Sequence, residues 1–188
     1  NLVVTGTSLI DEHSRKQVLK MMSHATKNYC KVWLDLDYRH WNWPDEGATR
    51  SAYQKAEKLS DVIVGNEEEF KILNDELNIQ VKECISKNKI MILKKGENGC
   101  TLFSGNCTLK TGIYKSKIMK PYGSGDAFLG NLIMNYMAFG DWKKAAEAGS
   151  AAAAIVVSKK GCASAMPSNK EIKSLQDSTS IQPKTEWS

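Results

Sequence analysis

Short apolar runs and amphipathic stretches take turns along this chain. Leu2–Thr5 ("LVVT"), Lys31–Asp37 ("KVWLDLD"), Asp61–Gly65 ("DVIVG") and Ile90–Gly96 ("IMILKKG") are brief and rich in branched or aromatic side chains, so each predicts a buried strand. Between them, apolar positions recur every three or four residues. A helix capped by Ser14 is expected to run to about Lys27, with Val18, Met21, Met22 and Ala25 on one face. Further helices are expected at about Arg50–Leu59, over "EEEFKILND", and at about Val81–Asn88. Cys100–Tyr114 reads as a hairpin turning at Ser104-Gly105-Asn106. Beyond it, Phe128, Leu129, Leu132, Ile133, Tyr136 and Met137 share one helical stripe, which starts a helix near Ser124. A second long helix follows, then a short one near Ser168–Gln176. Residues 177–188, "DSTSIQPKTEWS", form a polar segment expected to be a loose tail.

Strands alternating with helices predict an α/β fold: a mainly parallel sheet with helices on both faces, in one domain over residues 1–176. Such sheets bind ligands at the carboxyl ends of their strands, so polar motifs just after strands carry the most weight.

Composition narrows the function classes. The 188 residues are 41% hydrophobic and 25% charged, which fits a globular rather than a disordered chain. The net charge is +5, with no Lys/Arg block, so small anions such as phosphates or acidic sugars are expected and nucleic acid is not. The longest apolar run, Ala151–Val157, is too short to cross a membrane. Five cysteines, an odd number without a CxxC pair, argue against zinc. Cys100 and Cys107 could face each other across the hairpin, but reduced thiols in a cytoplasmic protein are the expectation. The chain opens directly on a strand pattern without Met, and it reads as a piece of a longer polypeptide.

The candidate chemistry centres on "KPYGSGDAFLGN", Lys120–Asn131. A helix mouth offers unpartnered N–H groups and a positive dipole end. Gly123 and Gly125 let the backbone approach a ligand, so Gly123, Ser124 and Gly125 can cradle an anion. Asp126 beside that cradle would repel phosphate unless it accepts a proton from an attacking hydroxyl; an ordinary helix start with a dipole-complementing acid accounts for it equally well. Asn66 and Glu69 in "GNEEEF" can face Mg²⁺ through waters, or can simply cap a helix. Gly96 and Gly99 in "KKGENGC" allow close approach of a phosphate or ribose, or a plain turn. Arg39 in "DLDYR" can clamp a carboxylate or phosphate, or pair with Asp37 on the surface. His13, His24 and His40 are scattered and form no metal set.

Asn-x-x-Glu after a strand, Gly-x-x-Gly before a hairpin, and Gly-Ser-Gly-Asp opening a helix, in that order, resemble the ribokinase-like carbohydrate kinases. "VVTGTSL", "DLDYRHWNW", "MKPYGSGDAFLG" and "GSAAAAIVVSKKGCASAMPS" are similar to a subgroup acting on a sugar acid, and the resemblance runs from residue 1 to about Asn169. It implies a three-layer ribokinase-like sandwich lacking the family's N-terminal part and lid. It implies ATP and Mg²⁺ as cofactors, a small sugar acid as partner, and transfer of the γ-phosphate to a terminal hydroxyl. It makes Asp126 the catalytic base and Gly123, Ser124 and Gly125 the anion hole. Lys94, Gly96 and Gly99 contact nucleotide, Asn66 and Glu69 organise Mg²⁺ and phosphates, and Arg39 reaches toward the sugar's carboxylate. It also allows a homodimer.

Many relatives carry Asp-Thr-Thr where this chain has Lys120-Pro121-Tyr122; there the Lys120 ammonium is expected to stand in for a monovalent cation. Two further readings remain open: a kinase for another sugar, such as 2-keto-3-deoxygluconate or fructose, and a nucleotide-binding module without turnover.

Overall fold

The computed structural model describes residues 1–120 and 122–188; Pro121 lies outside them. The elements are β1 (Leu2–Thr5), α1 (Glu12–Lys27), β2 (Val32–Asp35), α2 (Glu46–Lys58), β3 (Val62–Asn66), α3 (Glu67–Leu73), α4 (Leu77–Ser86) and β4 (Ile90–Lys94). They continue as β5 (Cys100–Ser104), β6 (Cys107–Thr111), α5 (Ser124–Phe139), α6 (Trp142–Val157), α7 (Asn169–Ser178) and β7 (Glu186–Trp187). The strands are ordered β1-β2-β3-β4-β5-β6-β7 in the sheet. The chain comprises two compact units, residues 1–95 with 102–108, and residues 96–101 with 109–188.

In the first unit β1 to β4 run parallel, with Val3 opposite Trp33, Leu34 opposite Ile63 and Ile63 opposite Met91. A parallel strand buried on both faces needs an unbroken apolar run rather than an alternating one. "VWLD" is buried at all four positions, and in β3 and β4 only the ends Asn66, Ile90 and Lys94 are partly exposed. One core joins Leu34, Leu36, Ile63, Met91 and Leu93 to Met22 of α1, Ala52, Tyr53 and Ala56 of α2, and Phe70 and Leu73 of α3.

Several boundaries differ from the sequence-based expectation, and capping chemistry explains them. Asp11, not Ser14, caps α1; its carboxylate accepts from the Ser14 N–H at 2.8 Å. Asp45 caps α2 in the same way, accepting from Ala48 N–H at 2.7 Å, so the helix begins at Glu46 rather than near Arg50. α4 begins at Leu77, a turn before Val81. On the expected α1 face, Met22 and Ala25 are buried while Met21 is 47% exposed.

In the second unit, α5 and α6 form a helical hairpin. Of the predicted stripe, Phe128, Leu129, Leu132 and Ile133 are buried, whereas Met137 lies 59% exposed beyond the contact. Tyr136 stacks on Trp142 with ring centroids 3.8 Å apart. The segment expected to be a loose tail is ordered instead. β7 pairs antiparallel with β6, Gln182 and Ile113 form a bridge, and Ile181 is buried beside Ala151, Ala165 and Ile172. Its isolated apolar residues, Ile181 and Trp187, were too few to show a period, and the strand edge of β6 supplied the partner. All five cysteines are free thiols: Cys100 is buried and Cys107 exposed, and they do not pair across the hairpin.

Replacing Ile181 with alanine is expected to cost about 2 kcal/mol or more of stability. Chemical denaturation should show that loss; a change near zero would return this segment to a dispensable tail.

Candidate active site

Asp35, Asn66 and Lys94 are the last residues of three neighbouring parallel strands. Each strand therefore releases a polar side chain at the same edge, where parallel sheets place their ligand sites. The Lys94 ammonium lies 3.1 Å from Asp35 Oδ1 and 3.8 Å from Glu69 Oε2. Both carboxylates are buried, Asp35 being 3% and Glu69 6% exposed. Burial pushes the Asp35 carboxyl up to about 6, against the lowering influence of Lys94. Burial also disfavours charge on Lys94, but the carboxylates of Asp35 and Glu69 outweigh it and leave the amine above its ordinary value.

Glu69 is tied down further. Its Oε2 accepts from the Asn66 N–H at 2.7 Å, and Asn66 Oδ1 accepts from the Glu69 N–H at 2.9 Å, a reciprocal box closing the start of α3. Its Oε1 accepts from the Tyr38 N–H at 3.1 Å. The helix cap and the loop after β2 thus share one carboxylate. In that loop Asp37 holds φ at +36°, a conformation that non-glycine residues seldom adopt, and receives the Arg39 guanidinium at 2.9 Å. Arg39 is thus paired with Asp37, the surface-pair arrangement, with its side chain 39% exposed. Asp35 escaped the sequence reading. The signal was present, a carboxylate closing an otherwise apolar run, but nothing in the sequence said that Lys94 would reach it.

The second unit carries the helix mouth. Gly123 adopts φ +83° and leads into α5, and the Ala127 N–H donates to the Gly123 carbonyl at 3.0 Å. The amides of Gly125 and Asp126 precede that first helical bond. Any side chain at position 123 would be strained by the left-handed backbone and would place Cβ 2.8 Å from Cys162 Sγ. Asp126 sits in the first turn and is exposed. Just ahead, Lys120 Nζ donates to the Tyr122 carbonyl at 3.1 Å, while the Met119 N–H donates to the Val157 carbonyl at 2.8 Å. The third predicted feature, the turn after β4, is also in this unit. Gly99 (φ +77°) donates its N–H to the Gly96 carbonyl at 3.1 Å, and a Cβ there would fall 1.9 Å from the Thr111 carbonyl oxygen. Among the described residues no three His, Cys, Asp or Glu side chains are grouped to hold a metal ion.

A helix mouth entered through a left-handed glycine, with a carboxylate in its first turn, and a turn whose backbone cannot tolerate a side chain are features of anion recognition near a proton acceptor. The chain belongs to the pfkB family of carbohydrate kinases, whose sequence pattern matches residues 1–169. A 5-dehydro-2-deoxygluconokinase of Photobacterium profundum is 36% identical over 175 residues, covering 88% of this chain and 53% of that protein. The 5-dehydro-2-deoxygluconokinase 2 of a Bacillus cereus strain is 35% identical over 94% of this chain and 56% of its own length. The chain thus spans about half the length of these curated relatives. The crystal structure of a fructokinase from Vibrio cholerae O395 with fructose, ADP and calcium ion superposes with a TM-score of 0.84 at 20% identity, covering 93% of this chain and 59% of that one. The fold is therefore the ribokinase-like α/β fold expected from the motifs.

Two glycines, one capping α5 and one inside it, should respond in opposite ways to alanine. Gly123→Ala is expected to destabilise by about 1–2 kcal/mol, because the left-handed backbone then carries a Cβ. Gly130→Ala, in open space within α5, is expected to stabilise by about 0.5–1 kcal/mol. Thermal unfolding of the two variants measures both signs.

Proposed function

We propose that this chain is the nucleotide-binding and catalytic portion of an ATP-dependent kinase for 5-dehydro-2-deoxy-D-gluconate, forming the 6-phosphate. The observation that carries the proposal is the Gly123–Asp126 turn, in a chain whose relatives of that name match over most of its length. Phosphoryl transfer asks little covalent chemistry of a protein; positioning and charge stabilisation do most of the work. Gly123, Ser124 and Gly125 hold the migrating phosphoryl group at the positive end of α5. Asp126 accepts the proton of the sugar's terminal hydroxyl as that oxygen attacks. Gly96 and Gly99 bring backbone within reach of nucleotide phosphate and ribose, Lys94 adds positive charge at the strand ends, and Arg39 addresses the sugar's carboxylate.

Mg²⁺ would enter with the nucleotide and screen its phosphate charge. The residues present fit a hold through waters rather than direct coordination: each Glu69 oxygen already accepts an amide, and Asn66 Oδ1 accepts the Glu69 N–H. A carboxylate keeps further lone pairs for water. The proposal takes a soluble cytoplasmic setting and a small sugar acid as the partner. No helix among the described residues is long and apolar enough to cross a membrane.

ADP release measured with a panel of sugars tests the reading. The expected preference is for 5-dehydro-2-deoxy-D-gluconate. Faster turnover of fructose or 2-keto-3-deoxygluconate would reassign the substrate, and ATP binding without turnover would leave a nucleotide-binding module. Asp126→Asn should lower kcat by about 10²–10⁴-fold with little change in nucleotide affinity.

The Lys120 ammonium, donating to the Tyr122 carbonyl beside the turn, supplies a fixed positive charge there. Turnover is therefore expected to be the same in K⁺ and Na⁺; strong K⁺ activation would remove that role from Lys120.

A further inference from the structure

Asp35 and Glu69 bring two buried carboxylates to the ends of β2 and α3, and two buried charges of one sign need compensation. The Lys94 ammonium lies within 3.1 Å of one and 3.8 Å of the other. It therefore stands at the point toward which both carboxylates offer oxygen, the position a hard divalent cation would take in an oxygen-lined site. We propose that Lys94 is the resident counter-cation of this cluster: it positions Asp35 and Glu69 and excludes a protein-bound divalent ion from the strand ends. Glu69 passes this order to the Asn66 and Tyr38 amides. The frame formed by the loop after β2 and the mouth of α3 is consequently set without metal.

The inference stands on the geometry of the first unit and does not depend on which sugar is phosphorylated. Any Mg²⁺ that serves the proposed reaction then arrives with nucleotide instead of waiting on Asp35 and Glu69. With Lys94 present, the three ionised side chains sum to −1; without it, two carboxylates would face one another with a charge that a divalent cation can neutralise.

Mn²⁺, a hard paramagnetic ion that takes oxygen ligands, is the probe, added without nucleotide to the ¹⁵N-labelled chain. Amide signals of Tyr38 and Asn66 report on the cluster. In the unmodified chain they should stay sharp as Mn²⁺ is added. Lys94→Met should create a saturable site that broadens both, with affinity at least about tenfold above the unmodified chain. Adding Asp35→Asn to that variant should abolish the site. Lys94→Arg, which keeps the charge, should leave the signals sharp.

Two results would overturn the proposal. One is selective, saturable broadening of Tyr38 and Asn66 in the unmodified chain, which decides the matter even if Lys94→Met fails to fold. The other is a folded Lys94→Met variant, with dispersed amide signals, that gains no site. Because no turnover is measured, neither result bears on the kinase reading, and loss of kinase activity would leave this proposal untouched.

Discussion

Three parallel strands end at one level, and each end must do something with a polar residue that its apolar run no longer hides. In this chain the solution is an ion cluster: Lys94 from β4 meets Asp35 from β2 at 3.1 Å, with Glu69 from the first turn of α3 3.8 Å away. A buried carboxylate without a partner costs several kcal/mol, so the pairing is a condition of the strands ending where they do. Glu69 then accepts from two donors, the amides of Tyr38 and Asn66, and lies 3.8 Å from the Lys94 ammonium as an ion pair. The loop after β2 and the start of α3 are consequently held by one side chain.

The helix mouth of the second unit obeys a different constraint, a steric one. Position 123 combines a left-handed backbone with a thiol 2.8 Å from where a Cβ would stand, so it admits glycine and little else. That conformation turns the chain into α5, whose first helical bond runs from the Ala127 N–H to the Gly123 carbonyl. Asp126 in the same turn complements the dipole whether or not it handles a proton. Helix stabilisation and proton acceptance ask for the same residue at the same place.

The same overlap recurs at Asn66 and Glu69. The capping box is present in full, yet it uses one acceptor site on Glu69 Oε2, the Tyr38 amide uses one on Oε1, and other lone pairs are left for water. A residue pair can hold up a helix and still face a hydrated ion. Arg39 shows the opposite case, since its guanidinium is engaged by Asp37 and must leave or share that partner to meet a ligand.

Much was legible in the order of residues. The apolar runs of β2, β3 and β4 are unbroken because both faces of a parallel strand are buried, so pattern alone predicted strands and an α/β fold. Gly-Ser-Gly-Asp before an apolar stripe predicted a helix mouth near Ser124, and α5 begins there. These features are local: they depend on a residue and its near neighbours in the chain. The caps at Asp11 and Asp45 are equally local, each an acidic side chain accepting an amide three residues on, although the apolar pattern by itself places the starts at Ser14 and about Arg50. What only the tertiary structure decided are the meetings of residues distant in sequence. Asp35 and Lys94 stand 59 positions apart, and a polar terminal segment found an open strand edge on β6. No periodicity encodes such contacts, because they arise only when the sheet has aligned its strand ends and left an edge unpaired.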